Sequence, residues 1–246
     1  MLVLSLSLWK RVDRRRPAPE AKVAVSSATT APGRQRDAHV PLRTAIGIPG
    51  VKLILGAFFA YCAIESTLIL WASSYLVTQR DIDPATAATF AALFLLGITG
   101  GRFLSGFFAD HVGDRALIRG GFIVVAAGVV LIAMPLPTDV FALAGLVLAG
   151  LGCAPIYPAI VHSTPANFGE RNSQAIIGIQ MAAAYTGSTV MPPVFGVIGA
   201  VIGMWILPLY LAVLVALGLL MSEALNRRQR RAAETEAGSV PISSNR

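Results

Sequence analysis

One acidic residue, Glu65, interrupts an otherwise uncharged run from Leu53 to Gln79. An ionised carboxylate in so apolar a segment is costly unless it faces protein or water, so an ionisable group at that depth is a functional candidate by default. The chemistry open to it is proton uptake and release, because burial disfavours its charged form. On a helix rising about 1.5 Å per residue, Glu65 lies roughly 20 Å from Lys52, near the middle of a bilayer. Tyr61 is one turn away on the same face, with Ser66 and Trp71 on flanking faces. The alternative role for Glu65 is a permanent hydrogen-bonded clasp between helices.

A second polar set lies between Leu143 and Gly196, where two apolar runs flank one short polar loop. Proline interrupts both runs, at Pro155 and Pro158 in the first and at Pro192 and Pro193 in the second. Proline removes a helical donor, and in a membrane this is tolerated where neighbouring helices or a cavity satisfy the freed carbonyls. Leu151 and Ala154 lose their donors in this way, one turn from Tyr157. In the second run Gln180, Tyr185, Thr186 and Ser188 sit among Gly178, Ala182, Ala183, Ala184 and Gly187, a small-residue surface that lets another helix approach closely. Gln180 suits a hydrogen bond to a hydroxylated solute or one between helices. His39, His111 and His162 show no metal-ligand spacing, and there is no phosphate loop, hydrolase elbow or pair of catalytic carboxylates. The expectation is a protein that is no enzyme, with no cofactor and no metal.

The elements that must carry these residues follow from charge and hydropathy. Of the 246 residues, 55% are hydrophobic and 13% charged, and mean hydropathy is +0.67. Soluble domains carry about 25% charged residues. No Asp, Glu, Lys or Arg occurs between Arg171 and Glu223, long enough to cross a hydrocarbon core of about 30 Å twice. An all-α integral membrane protein follows, with six spans at roughly 52 to 77, 85 to 109, 118 to 136, 139 to 162, 173 to 197 and 204 to 225. The connections are Thr78 to Pro84, Asp110 to Leu117, Leu136 to Thr138, Ser163 to Asn172 and Ile198 to Gly203. Cys62 and Cys153 fall within apolar runs and suggest no disulfide framework.

The division expected is residues 1–50, a short apolar end followed by a disordered basic linker; 51–226, the six-helix bundle; and 227–246, a basic tail. Met1 to Trp9 is too short to span, and its basic residues follow rather than precede it, unlike a signal peptide. The linker lacks interleaved aromatics, so a nucleic-acid arm is not expected. Six spans put both ends on one side. The linker, Arg115, Arg119, Arg171 and the arginines from Arg227 to Arg231 share that side, and only Arg80 lies opposite, beside Asp81 and Asp83. The positive-inside rule makes both ends cytoplasmic in a plasma membrane, with anionic lipid headgroups balancing the net charge of +7.

The run Gly106, Phe107, Phe108, Ala109, Asp110, His111, Val112, Gly113, Asp114, Arg115, preceded by Gly101 and Arg102, resembles the loop motif of the major facilitator superfamily in its second-half copy. It departs from that motif at His111 and Asp114, where the family usually has basic residues. The Glu65 span and the runs GLGCAPIYPAIVHSTPANFG and IGIQMAAAYTGSTVMPPVFG resemble the fucose-permease-like branch of sugar porters. The resemblance implies that residues 51–225 form the C-terminal half of a twelve-span transporter, built from two inverted three-helix repeats. Met1 to Trp9 would then be the end of span six and 10–50 the central loop, with an N-terminal six-span half, or a second copy, completing the molecule.

By the same resemblance the first and fourth spans line a substrate cavity and the second and fifth face the opposite bundle. Glu65, Tyr61, Tyr157, Gln180 and Trp71 are the residues expected at the cavity wall. Arg102 is expected to snorkel toward the cytoplasmic rim and meet acidic partners there. The function expected is movement of a small, neutral, sugar-like solute with protons by alternating access. Efflux of lipophilic cations and a non-transporting membrane scaffold are the alternatives.

Overall fold

The computed structural model describes residues 41–135 and 138–238, except for the side chains of residues 42, 108–110 and 236–238. The expectations for Met1 to Trp9, for most of the linker and for the last eight residues lie outside the described residues. A short helix, α1 (Leu42–Gly47), occupies part of the stretch read as linker. Then come α2 (Val51–Arg80), α3 (Pro84–Val112), α4 (Asp114–Ala133), α5 (Val140–Cys153), α6 (Ile156–Phe168), α7 (Glu170–Ile202), a 3-10 turn (Met204–Ile206) and α8 (Leu207–Gly238). Among the described residues, six helical segments are long and apolar enough to cross a membrane, with α5 and α6 together making the fourth and the 3-10 turn with α8 making the sixth.

The two proline pairs behave differently. Ala154 and Pro155 form a turn that separates α5 from α6. Pro158 falls in the first turn of α6, where a missing N–H costs little. At the second pair α7 runs unbroken through Pro192 and Pro193. There the Trp71 indole N–H donates to the Pro192 carbonyl at 2.9 Å, and the Tyr210 hydroxyl donates to the Met191 carbonyl at 2.9 Å. Both bonds tie α7 to its neighbours at the proline pair itself, while the carbonyls that lose their helical donors are those of Ser188 and Thr189, one turn earlier.

Several connections are tighter than the charges suggest. Gly113 alone separates α3 from α4, and Gly169 alone separates α6 from α7, at φ of +79° and +83°. Both values are ones that only glycine adopts readily. Asp114 and Glu170 then open the following helices, where a negative charge meets the positive end of the helix dipole. At the opposite rim, Arg80 reaches the end of α4 and donates to the carbonyls of Ile132, at 3.0 Å, and Met134.

The first span packs mainly on the fifth and sixth, the fourth packs mainly on the second and third, and the third packs on the sixth. Exchanging the first three spans for the last three reproduces this pattern. Three spans are an odd number, so the two triplets cross the membrane in opposite senses, which is the arrangement of an inverted repeat. The two equivalent central spans are also the most enclosed. Over their most apolar stretches 56% and 50% of residues are buried in the first and fourth spans, against 28% and 22% in the second and fifth. Close approach depends on glycine. A Cβ at Gly150 would strike the Phe94 carbonyl, and one at Gly128 would stand 2.7 Å from the Gly145 carbonyl oxygen and the Ala149 nitrogen.

Candidate functional site

Glu65 lies midway along α2, on the face that also carries Phe58, Tyr61 and Cys62. Its side chain is 21% exposed, and its Oε1 stands 3.9 Å from Nη2 of Arg102 on α3. That distance is an ion pair without a direct hydrogen bond. Arg102 therefore does not run to the rim, as its place in the sequence suggests. It turns inward to the one carboxylate of the first span, because an ionised carboxylate in a low-dielectric interior attracts the nearest cation more strongly than distant water does.

Tyr61 is fully buried beside this pair. Its hydroxyl has no hydrogen bond of normal geometry, and its charged neighbour is Glu65. Tyr157, at the start of α6, packs obliquely on Phe58 and edge-on to Tyr61, with ring centroids 5.1 and 6.5 Å apart. The Tyr157 hydroxyl donates to the Met181 sulfur at 3.3 Å, and the side chain remains partly open. Cys62 and Cys153 also lie within electrostatic reach of Glu65. The break between α5 and α6 thus delivers Cys153 and Tyr157 to the same place.

A cavity of about 520 Å³ opens beside this cluster, lined by Arg102, Ser105 and Gly106 of α3, Asp114 and Leu117 of α4, and Pro155, Tyr157, Pro158, Ala159 and His162. At its far end His162 Nδ1 and Asp114 Oδ2 are 2.8 Å apart. The site combines a carboxylate, a cation within reach of its charge, and an aromatic wall.

Two of the expected wall residues lie elsewhere. Gln180 is fully buried. Its Nε2 donates to Thr164 Oγ1 at 2.9 Å, and that hydroxyl lies 2.9 Å from the Ile160 carbonyl and 3.2 Å from Gln180 Oε1. This is an interhelical clasp between α6 and α7. Trp71 packs edge-on to Phe195 and holds the Pro192 carbonyl, on the side of α2 that meets α7. Ser66, Thr186 and Ser188 each turn back to carbonyls of their own helix. In the loop motif, Gly106 lines the cavity, Gly113 forms the one-residue link, and Arg115 joins a separate basic cluster. Asp110 lies on the last turns of α3, and its side chain is outside the described residues.

Sequence reasoning missed Phe58, Cys153 and the partnership of His162 with Asp114. The available signal for Phe58 was its spacing of seven residues from Glu65. Nothing local marks the other two.

Residues 53–244 match the family model of the Major Facilitator Superfamily. The chain belongs to the major facilitator superfamily. Within it, the chain is 26% identical over 165 residues to the membrane protein MosC of Rhizobium meliloti, covering 66% of this chain and 40% of that protein. It is 24% identical over 140 residues to an MFS-type transporter of Yersinia pestis, covering 54% and 34%. The chain thus matches less than half the length of these relatives.

Among solved structures, the fold is similar to the transporter FucP in its outward conformation, with a TM-score of 0.64 and 16% identity over 80% of this chain and 49% of that one. It is also similar to a bacterial homologue of the lysosomal transporter Spinster, inward-facing, with a TM-score of 0.55 and 13% identity over 92% and 57%. At these identities the likeness is one of fold. The chain is an integral, multi-pass membrane protein of a transporter family.

Proposed function

We propose that this chain is the C-terminal half of a secondary active transporter that moves a small, neutral, hydroxylated solute such as a sugar together with protons. A second six-span bundle supplies the other wall, and the two rock about a central site. The observation that carries this reading is the Glu65–Arg102 pair inside the span, beside a cavity walled by Tyr157. While Glu65 is ionised its charge is balanced by Arg102, and Tyr157 gives the cavity beside the pair an aromatic wall. A proton taken up by Glu65 ends the pairing, giving the site two electrostatic states. The likeness of fold to FucP, solved as a fucose:proton symporter of E. coli, agrees with this reading.

Export of lipophilic cations is the less favoured reading, because Arg102 is 55% exposed and lines the cavity that such a cation would enter. The test is flux into vesicles holding this chain with a restored N-terminal half. Neutral sugars are expected to accumulate when a proton gradient is imposed. Proton-driven export of lipophilic cations without sugar flux would contradict the sugar assignment, and no flux of any solute would favour a scaffold.

In our reading, residues 41–50 and the end of α8 face the cytoplasm, and Asp81 faces the other side. Cys62 and Cys153 are buried, so a cysteine placed at Asp81 should react with an impermeant thiol reagent in intact cells while one at Thr235 stays protected. The reverse pattern would invert the topology.

A further inference from the structure

Away from the central cavity, α4 and α8 enclose a second cavity of about 300 Å³, lined by Arg115, Arg119, Glu223, Asn226, Arg227 and Arg230. Four guanidinium groups meet one carboxylate there. Glu223 is already engaged by Arg119, with Nε and Oε1 3.3 Å apart, so Arg115, Arg227 and Arg230 bring three positive charges that no carboxylate lining the cavity offsets. All three are exposed. Guanidinium forks of this kind match phosphate oxygens in geometry as well as in charge.

The position favours a phosphate attached to an apolar tail. The cavity sits where α8 passes from its apolar stretch into the arginines. Above it the same helix faces carry exposed apolar side chains. Ile123 and Val130 follow Arg119 along α4, and Leu220 and Val213 precede Arg227 along α8. Their spacings of four and seven residues keep each set in line. Phe122 of α4 packs at Gly218 of α8, so the two helices stay close beneath this surface. A water-soluble phosphate would use the basic floor and leave the apolar stripe uncovered, whereas a lipid uses both.

We infer that the groove between α4 and α8 binds one anionic phospholipid, with its headgroup phosphate among Arg115, Arg227 and Arg230 and its acyl chains along Ile123, Val130, Leu220 and Val213. The test is native mass spectrometry of the full 246-residue chain from detergent, with phosphatidylglycerol or phosphatidylcholine added at equal concentration. One phosphatidylglycerol should be retained in preference to phosphatidylcholine. The variant Arg115→Gln/Arg227→Gln/Arg230→Gln should lose that preference by roughly a hundredfold in relative affinity. A charge-matched control, Lys52→Gln/Arg171→Gln/Arg228→Gln, should keep it, whereas the triple Arg→Lys variant at the three site positions, which keeps the charge but loses the fork, should retain part of it.

If the triple Gln variant does not fold, the single Arg230→Gln change, on the exposed extension of α8, should still weaken retention several-fold. Equal retention of the two lipids, or equal loss in the control, would overturn the site. Loss of the bound lipid to millimolar inorganic phosphate, without lipid preference, would assign the cluster to a soluble phosphate and overturn the lipid.

Discussion

Two polar pairs inside the bundle, Glu65 with Arg102 between α2 and α3 and Gln180 with Thr164 between α7 and α6, use interhelical contact in opposite ways. Gln180 and Thr164 are both fully buried and joined by short contacts, with the hydroxyl also on a backbone carbonyl. Nothing in that pair is left to react. Glu65 and Arg102 are charged, 3.9 Å apart and partly exposed, beside a cavity and a buried tyrosine hydroxyl. The difference shows how a membrane protein divides its polar groups: closed pairs hold helices together, and loose ionisable pairs that water or solute can reach remain free to change state.

Removing one member of the open pair has the largest expected effect. Arg102→Met leaves Glu65 without its cation. In the completed transporter this change should abolish proton-driven accumulation. It should also lower thermal stability, because the remaining carboxylate then lies in an apolar segment with no cation beside it. Flux and melting curves read this together, and lost stability with proton-driven accumulation intact would place Glu65 among the closed structural pairs.

The next effect tests the scaffold under the open pair. Gly150→Ala would drive a methyl group into the Phe94 carbonyl of α3 and should cost about 3 kcal/mol, as overpacking does. Denaturation in mixed micelles measures it. A neutral result would mean that α3 and α5 separate easily.

Smaller effects belong to the closed side. Gln180→Leu should cost about 1 kcal/mol, the order of an interhelical hydrogen bond in a membrane, and should leave the pH dependence of transport unchanged. A shift in that dependence would move Gln180 back to the solute site. Trp71→Phe keeps the ring but removes the donor to Pro192, at a cost of about 0.6 kcal/mol, and should leave coupling intact in the same flux assay.

How much of this was legible in the sequence follows physical lines. The six spans could be read because charge is expelled from the hydrocarbon region, as in the uncharged stretch after Arg171. Loops were read too long for the same reason. Asp110, His111 and Asp114 look like loop residues by charge, yet a backbone at the membrane rim still prefers helix, and Gly113 alone makes the turn. The tail after Arg227 contains good helix formers such as Arg, Gln, Ala and Glu, so α8 continues to Gly238 beyond its apolar part.

Within the site, Glu65, Tyr61 and Tyr157 were legible as polar groups in apolar runs at helical spacing. The inward turn of Arg102, the closing of Gln180 on Thr164 and the reach of Trp71 to Pro192, 121 residues away, are tertiary choices between equally spaced partners. No local pattern specifies them.

In our reading Glu65 carries the coupled proton. With one proton per solute, each unit of pH difference across the membrane is about 1.4 kcal/mol and supports about tenfold accumulation. The decisive measurement is steady-state accumulation of a transported sugar in vesicles against the imposed pH difference, for the completed transporter and its Glu65→Gln variant. A tenfold rise per pH unit is expected for the parent, and for the variant equilibration of the sugar with no dependence on the gradient. A variant that accumulates sugar with the parent's slope would contradict this reading.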